Sequence, residues 1–261
     1  MAASVDVVAL VSPILLTQLR VALGHPHRLV VAGDWSELER LVRRTAVDVV
    51  VLDPCADGSS GGVAEVLGFL SRHPSVPVVT YVTLTPASLR AVVELARHGL
   101  QRVVLHRFDD APARFRELLS PPGDVLTEEL LTALAPSLRR LPPALDGAVK
   151  RMFRRPDLVW TAQDLAAAAG MPRRTLYRQL EAAGFASPRR LVQAARLLRA
   201  YVYLRDPGNL VEDVVVKLRY GSSHVFVRHT REACGLTPSV LRREVEGAEF
   251  VALLRRRLLA G

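Results

Sequence analysis

The sequence predicts an α/β domain followed by an all-α domain, and three observations predict it. The first 120 residues alternate short Val-rich runs with helical patterns. A break at Ser120-Pro-Pro-Gly-Asp124 then ends the alternation, because Pro121 and Pro122 cannot continue a helix and Gly123 loosens the backbone beyond them. After about Ala144 only helical periodicity and short turns remain. The expected organisation is an α/β domain over 1–120, a connector over 121–143 and a helical domain over 144–261.

Five strands are expected at Val5–Leu10, Arg28–Ala32, Val47–Leu52, Val76–Val82 and Arg102–Leu105. They are apolar on both faces, as parallel strands covered on both sides must be. Helical patterns separate them at Pro13–Leu23, Ser36–Arg44, Gly62–Arg72, Pro86–His98 and Pro112–Leu119. Ser36 is expected to cap the second, with Glu39 as its capping-box partner, and Gly99 to end the fourth. Five βα units imply a doubly wound parallel sheet. In the connector, Leu126, Leu130, Leu131, Leu134 and Leu138 form one apolar stripe, read as a connector helix or a dimer seam; two heptads favour the connector.

Charge divides along the same boundary. Residues 1–149 carry 14 Lys+Arg against 16 Asp+Glu, and residues 150–261 carry 21 against 10, for net charges of −2 and +11. A polyanion partner is therefore expected for the second half alone. Among the 35 basic residues only Lys150 and Lys217 are lysines, and Arg suits bidentate contact with phosphate or guanine. No run of eighteen apolar residues occurs, and Met1 to Leu16 carries Asp6 without a basic n-region. No signal peptide or membrane span is expected, and the location read from this is cytoplasmic. Cys55 and Cys234 match no metal spacing and are expected as reduced thiols.

Two helix–turn–helix patterns lie in the basic half, from Thr161 to Leu180 and from Leu210 to His229. In the first, Leu165, Ala166 and Ala169 face inward, Gly170 makes the turn, Pro172 opens the next helix, and Leu176 and Leu180 face the core. Arg173, Arg174, Tyr177 and Arg178 are left outward, chemistry suited to base edges and phosphates. In the second, Val211, Val214, Val215 and Leu218 are the buried face, Tyr220-Gly221 makes the turn, Ser222 is the N-cap and Phe226 the core anchor. Ser223, His224, Val225 and Arg228 are left toward a groove. His224 and His229 lack a third ligand at helical spacing, so no metal or other cofactor is expected. Between the units, Pro188–Arg205 reads as one helix with a stripe of Leu191, Ala194, Ala195, Leu198 and Tyr201 or Val202. At about 1.5 Å per residue it spans about 27 Å, near one turn of duplex DNA.

Residues 160–243 resemble the AraC/XylS-type DNA-binding domain. The matching residues are Leu165-Ala166, Met171, Arg174, Leu176 and Arg178, then Ser187-Pro188 and Arg196-Leu197. In the second unit they are Tyr220, Ser222, Phe226, Arg228 and the run from Gly235 to Pro238. The resemblance implies a seven-helix, two-lobed fold and a role in transcriptional control. Its base-facing residues would be Arg174, Tyr177, Arg178, Ser223, His224, Val225 and Arg228. Pro172, Val215, Arg219 and Thr230 depart from the pattern, standing for the usual Ser, Ala, Gly and an aromatic residue. The second lobe is therefore expected to hold DNA more through phosphates than through bases.

The first 120 residues resemble a CheY-like receiver of flavodoxin-like fold. Asp53, ending the run Val49 to Asp53, stands where receivers carry the phosphoacceptor. The acidic pair that would hold Mg²⁺ is replaced by Leu10, Val11 and Ser12, the Lys after strand five by His106, and the switch hydroxyl by Val82, with Thr83 one place off. A divalent ion would have too few hard oxygen ligands. The expectation is an unphosphorylated pseudo-receiver with Asp53 vestigial, serving dimerisation or signal input. The alternative is a phosphorylation-dependent response regulator using Asp53. The loop Gly58 to Gly62 could cradle an anion, but lacks the Lys and spacing of a P-loop and reads as a plain loop. No catalytic triad, zinc spacing or nucleotide fingerprint occurs, so no enzyme is expected. The expected partners are double-stranded DNA, a second copy of the chain and RNA polymerase, with no membrane; sequence-indifferent coating of DNA is a third reading.

Overall fold

The computed structural model describes residues 5–56, 62–119 and 124–259, apart from the side chain of Arg116. The chain divides into two compact units, Met1–Pro122 with Asp206–Asn209, and Gly123–Arg205 with Leu210–Gly261. The expected break at 120–123 and the glycine loop before Gly62 lie outside the described residues.

The first unit alternates β1 (Asp6–Leu10), α1 (Pro13–Leu23), β2 (Arg28–Val31), α2 (Trp35–Arg44), β3 (Val49–Leu52), α3 (Gly62–Arg72), β4 (Val78–Val82), α4 (Pro86–Arg97), β5 (Val103–Leu105) and α5 (Pro112–Leu119). The strands form one parallel sheet in the order β2-β1-β3-β4-β5, the flavodoxin-like order. Val7 pairs with Leu29 on one side and with Val49 on the other. All four residues of β3 and all five of β4 are buried, as continuous apolar runs require. One face of the sheet packs Leu15, Leu19 and Phe115, and the other Leu38, Phe69 and Leu95.

Ser36 does not cap α2. The helix begins one residue earlier, Asp34 accepts the Glu37 N–H at 2.7 Å, and Glu37 returns a carboxylate to the Gly33 N–H at 2.8 Å. Glu39 is taken up by Arg72 and His73, each at 2.7 Å, and these donors hold its carboxyl below the usual range against the opposing effect of burial. Gly99 takes the left-handed conformation after α4, at φ +90°, as its lack of Cβ allows.

The second unit contains α6 (Val125–Leu138), α7 (Pro143–Arg154), a short 3-10 turn (Pro156–Leu158), α8 (Ala162–Ala168), α9 (Arg173–Ala182) and α10 (Pro188–Arg205). It closes with α11 (Val211–Lys217), α12 (Ser223–Cys234), α13 (Pro238–Glu244) and α14 (Gly247–Leu258). The seven helices α7 to α13 carry the expected domain, and α6 and α14 are added to it. The leucine stripe of α6 is neither a free connector nor an open seam. Leu130, Leu131, Leu134 and Leu138 are buried in the same core as α7 and α10, and α6 packs on α14. The contact is close, since a Cβ on Gly247 would stand 2.7 Å from a methyl of Leu126.

Helix α10 is buried nearly all round rather than along one stripe. Val192, Leu197, Ala200, Tyr203 and Leu204 are covered as well as the predicted positions, and Tyr201, not Val202, takes the inward place. Tyr201 stacks on Phe250 at 4.5 Å and donates to the Val245 carbonyl at 2.7 Å. Cys234 is buried, which pushes its thiol up to about 11. No described helix is long and apolar enough to cross a membrane.

Candidate DNA interface

The first unit of the pair is built from local signals. Thr161 caps α8 by accepting the Asp164 N–H at 3.2 Å, and Asp164 returns a bond to the Thr161 N–H at 2.9 Å. Gly170 turns the chain at φ +64°. Pro172 is the N-cap residue of α9 rather than its first helical residue, so no side-chain acceptor serves that end. Leu176 and Leu180 are fully buried. The 100° step of the helix therefore leaves Arg173, Arg174, Tyr177 and Arg178 all exposed. Arg173 donates to the Tyr177 hydroxyl at 3.2 Å and lies 5.5 Å from its ring centroid. Arg174 and Arg178, one helical turn apart, make no hydrogen bond or ion pair among the described residues, so both guanidiniums are available to a ligand.

The second unit repeats the plan with a strained turn. Ser222 caps α12 by accepting the Val225 N–H at 3.3 Å, and Phe226 is fully buried against Tyr220 at 4.9 Å. The left-handed residue of the turn is Arg219, at φ +49°, and not Gly221, whose φ is not positive. A side chain at that φ costs about 1–2 kcal/mol. Arg219→Gly is expected to stabilise the protein by about 0.5–1 kcal/mol once glycine's greater freedom in the unfolded chain is subtracted. A urea midpoint that rises without a change in slope would show it; an unchanged or lower midpoint would refute it.

Of the four residues expected toward a groove, His224 and Arg228 are exposed, whereas Ser223 and Val225 are half-buried. Val225 packs in part against the core, because it follows the N-cap by three residues and is drawn inward by that turn. Arg228 stands 3.9 Å from Glu232, an exposed pair of little strength. His229 lies on the inward side, T-shaped to Tyr220 at 5.5 Å. Burial holds its imidazole below the ordinary value, and Arg196, Arg228 and Arg189 add to this against the opposing Glu232. Thr230 fills its core place by returning its hydroxyl to the Val227 carbonyl at 2.8 Å.

At the carboxyl end of the first unit's sheet, Asp53 is buried and its Oδ1 accepts the Cys55 N–H at 2.9 Å. Leu10 and Val11, standing where a receiver holds its acidic pair, are buried apolar residues. Among the described residues at this position, Leu10 and Val11 offer no side-chain oxygen beside the Asp53 carboxylate. His106 is engaged elsewhere, 2.6 Å from Asp110 Oδ2, which also accepts the Tyr81 hydroxyl at 2.6 Å. Burial opposes the charge on Asp110, but bonds from Tyr81, His106 and the Arg107 N–H outweigh it and hold the carboxyl below its usual range. Burial and that same carboxylate push the Tyr81 phenol far up. Sequence reading missed this trio. The spacing of His106 and Asp110 was its one local trace, and Tyr81 joins them only because β4 and β5 are paired.

Residues 165–244 match a family model described as a helix-turn-helix domain. No curated protein matches the chain. Full-length FixJ from B. japonicum is similar at 14% identity, over 91% of this chain and 100% of that one, with a TM-score of 0.36. The response regulator RcsB in a DNA complex is similar at 20% identity, over 69% of this chain and 90% of that one, with a TM-score of 0.36. RcsB from Salmonella enterica serovar Typhimurium, bound to promoter P1flhDC with phosphomimetic BeF3⁻, has the same identity and coverage and a TM-score of 0.34. Residues 165–244 thus carry a helix–turn–helix domain, and they follow an α/β domain of flavodoxin-like strand order.

Proposed function

We propose that the protein is a sequence-specific transcription regulator whose helices α9 and α12 read two successive major-groove segments of one duplex. The observation that carries this is the exposed set Arg173, Arg174, Tyr177 and Arg178 opposite the buried Leu176 and Leu180. Arg174 and Arg178 suit guanine edges, Arg173 and Tyr177 the flanking phosphates. On α12, His224 and Arg228 face the duplex, and the half-buried Ser223 and Val225 contribute at its edge. Bound duplexes selected from a random pool and then footprinted are expected to show two protected segments about 10 bp apart. One protected segment would remove α12 from the reading. Equal affinity for random and selected duplexes at physiological salt would replace the proposal with sequence-indifferent coating.

The first unit is proposed as an unphosphorylated pseudo-receiver. Buried Leu10 and Val11 beside Asp53 support this, because among the described residues they replace the acidic pair that would hold the cation neutralising a transferring phosphoryl group. The position of Asp53 at the end of β3 favours the alternative, a regulator that Asp53 switches when phosphorylated. Incubation with acetyl phosphate and Mg²⁺ is expected to leave the intact mass unchanged. A phosphate gained, and lost in Asp53→Asn, would establish the alternative. Exposed Leu89 and Val93, one turn apart on α4, and exposed Phe108 after β5 support dimerisation through this unit; sedimentation velocity reads it directly. RNA polymerase and a cytoplasmic setting complete the proposed context.

A further inference from the structure

Arg196 lies near the middle of α10, and its guanidinium is enclosed by groups from both helix–turn–helix units. The guanidinium carbon is 4.8 Å from the Trp160 ring centroid and 4.1 Å from that of Tyr220. Its Nη2 donates to the Leu218 carbonyl at 2.9 Å, the C-cap position of α11. The main chain at Trp160 is held in turn from the first unit, since its backbone N–H donates to Asp164 Oδ2 at 3.0 Å, the carboxylate that closes the α8 capping box. Tyr220 is held from the second, packed on the buried anchor Phe226. One side chain thus joins the start of the first unit to the turn of the second.

The arrangement is costly. Burial makes the Arg196 charge harder to hold, and its Nε is buried with no hydrogen-bond partner among the described residues. Tyr220 Oη and His229 Nδ1, in the same cluster, are also buried with no hydrogen-bond partner among the described residues. Unsatisfied buried polar atoms are rare, and an apolar residue on this largely buried helix would avoid the penalty. What only an arginine supplies is a planar cation that two rings can sandwich while its edge donates to a carbonyl.

We propose that Arg196 is a positioning residue: clasped between Trp160 and Tyr220, it sets the angle between α9 and α12 and so the spacing of the two DNA segments the protein accepts. This rests on the reading that both helices enter one duplex. Two binding elements gain from each other only when their geometry permits simultaneous engagement.

The test uses the full chain and the duplex it selects from a random pool. Probes are that duplex, each protected segment alone, and versions with one or two base pairs inserted between the segments, all measured by fluorescence anisotropy at low salt. Arg196→Met and Arg196→Lys are expected to bind each single segment within about twofold of the parent, but the intact duplex about tenfold or more weaker. Their preference for the original spacing is expected to flatten. Lysine does not rescue, having no planar face. Trp160→Leu keeps the Leu218 bond and the Tyr220 contact, and is expected to flatten the preference to a smaller degree. It also carries the test if Arg196→Met melts early by circular dichroism. The proposal is overturned if the variants keep the parent's spacing preference, or if they weaken single segments and the intact duplex alike. A parent protein that gains nothing from the second segment would instead overturn the two-helix reading itself.

Discussion

Phe226→Ala is expected to destabilise the protein by about 3–5 kcal/mol, the cost of removing a fully buried aromatic side chain and leaving a cavity behind. Phe226 has no exposed surface, and it is the group against which Tyr220 packs from the turn. Its loss removes the support of α12 and of the Tyr220 face of the Arg196 sandwich together. Urea denaturation followed by far-UV circular dichroism measures the loss. A chain of two units need not unfold in one step, so Trp160 fluorescence in a Trp35→Phe background serves as the probe confined to the second unit. Phe226→Leu should recover most of the loss, because it restores much of the volume. A cost under about 1 kcal/mol for the alanine variant would mean that the site collapses freely and that α12 is held by other contacts.

Arg178→Ala is expected to weaken binding of the selected duplex by about 1–3 kcal/mol, roughly 5- to 150-fold, and to relax base choice at one position. The residue is exposed and has no partner among the described residues, so truncation removes little from the fold itself. The salt dependence of binding separates two roles. If Arg178 reads a base edge, the loss falls mainly on the selected sequence and the slope of log affinity against log salt stays near the parent's. If it neutralises a phosphate, affinity falls evenly across sequences and the slope drops by about one unit. Arg173→Ala is the informative companion, because its guanidinium is already engaged by Tyr177 and its role in the proposal is positional. Parental affinity for Arg178→Ala on every probe would remove α9 from the interface.

Much of the geometry of the candidate interface was legible because its determinants are local. The capping pair Thr161 and Asp164, the turn at Gly170 and the inward pair Leu176 and Leu180 all act within four residues along the chain. Periodicity alone then puts Arg173, Arg174, Tyr177 and Arg178 outside. The failures were local as well, by one or two residues. Asp34 displaced Ser36 as a cap because both residue types suit that role and the helix start decided between them. The turn was expected at Tyr220-Gly221, but the strained φ falls on Arg219, the position read from the sequence as standing for the usual Gly of the second turn, because the length of α11 sets where the turn must bend. Val225 was expected outside, and the cap at Ser222 turns it partly inward.

Sequence by itself determined the two-part architecture, the strand and helix order, and the basic outer face of α9, since each depends on alternation, capping and charge between near neighbours. Tertiary structure alone decided that α6 belongs to the second unit's core, that Tyr81, His106 and Asp110 meet, and that Arg196 lies between Trp160 and Tyr220. Those partners are brought together by sheet pairing and by packing around α10. Their attraction depends on distance in space, and no periodic pattern in a chain encodes which remote residues will share a buried site.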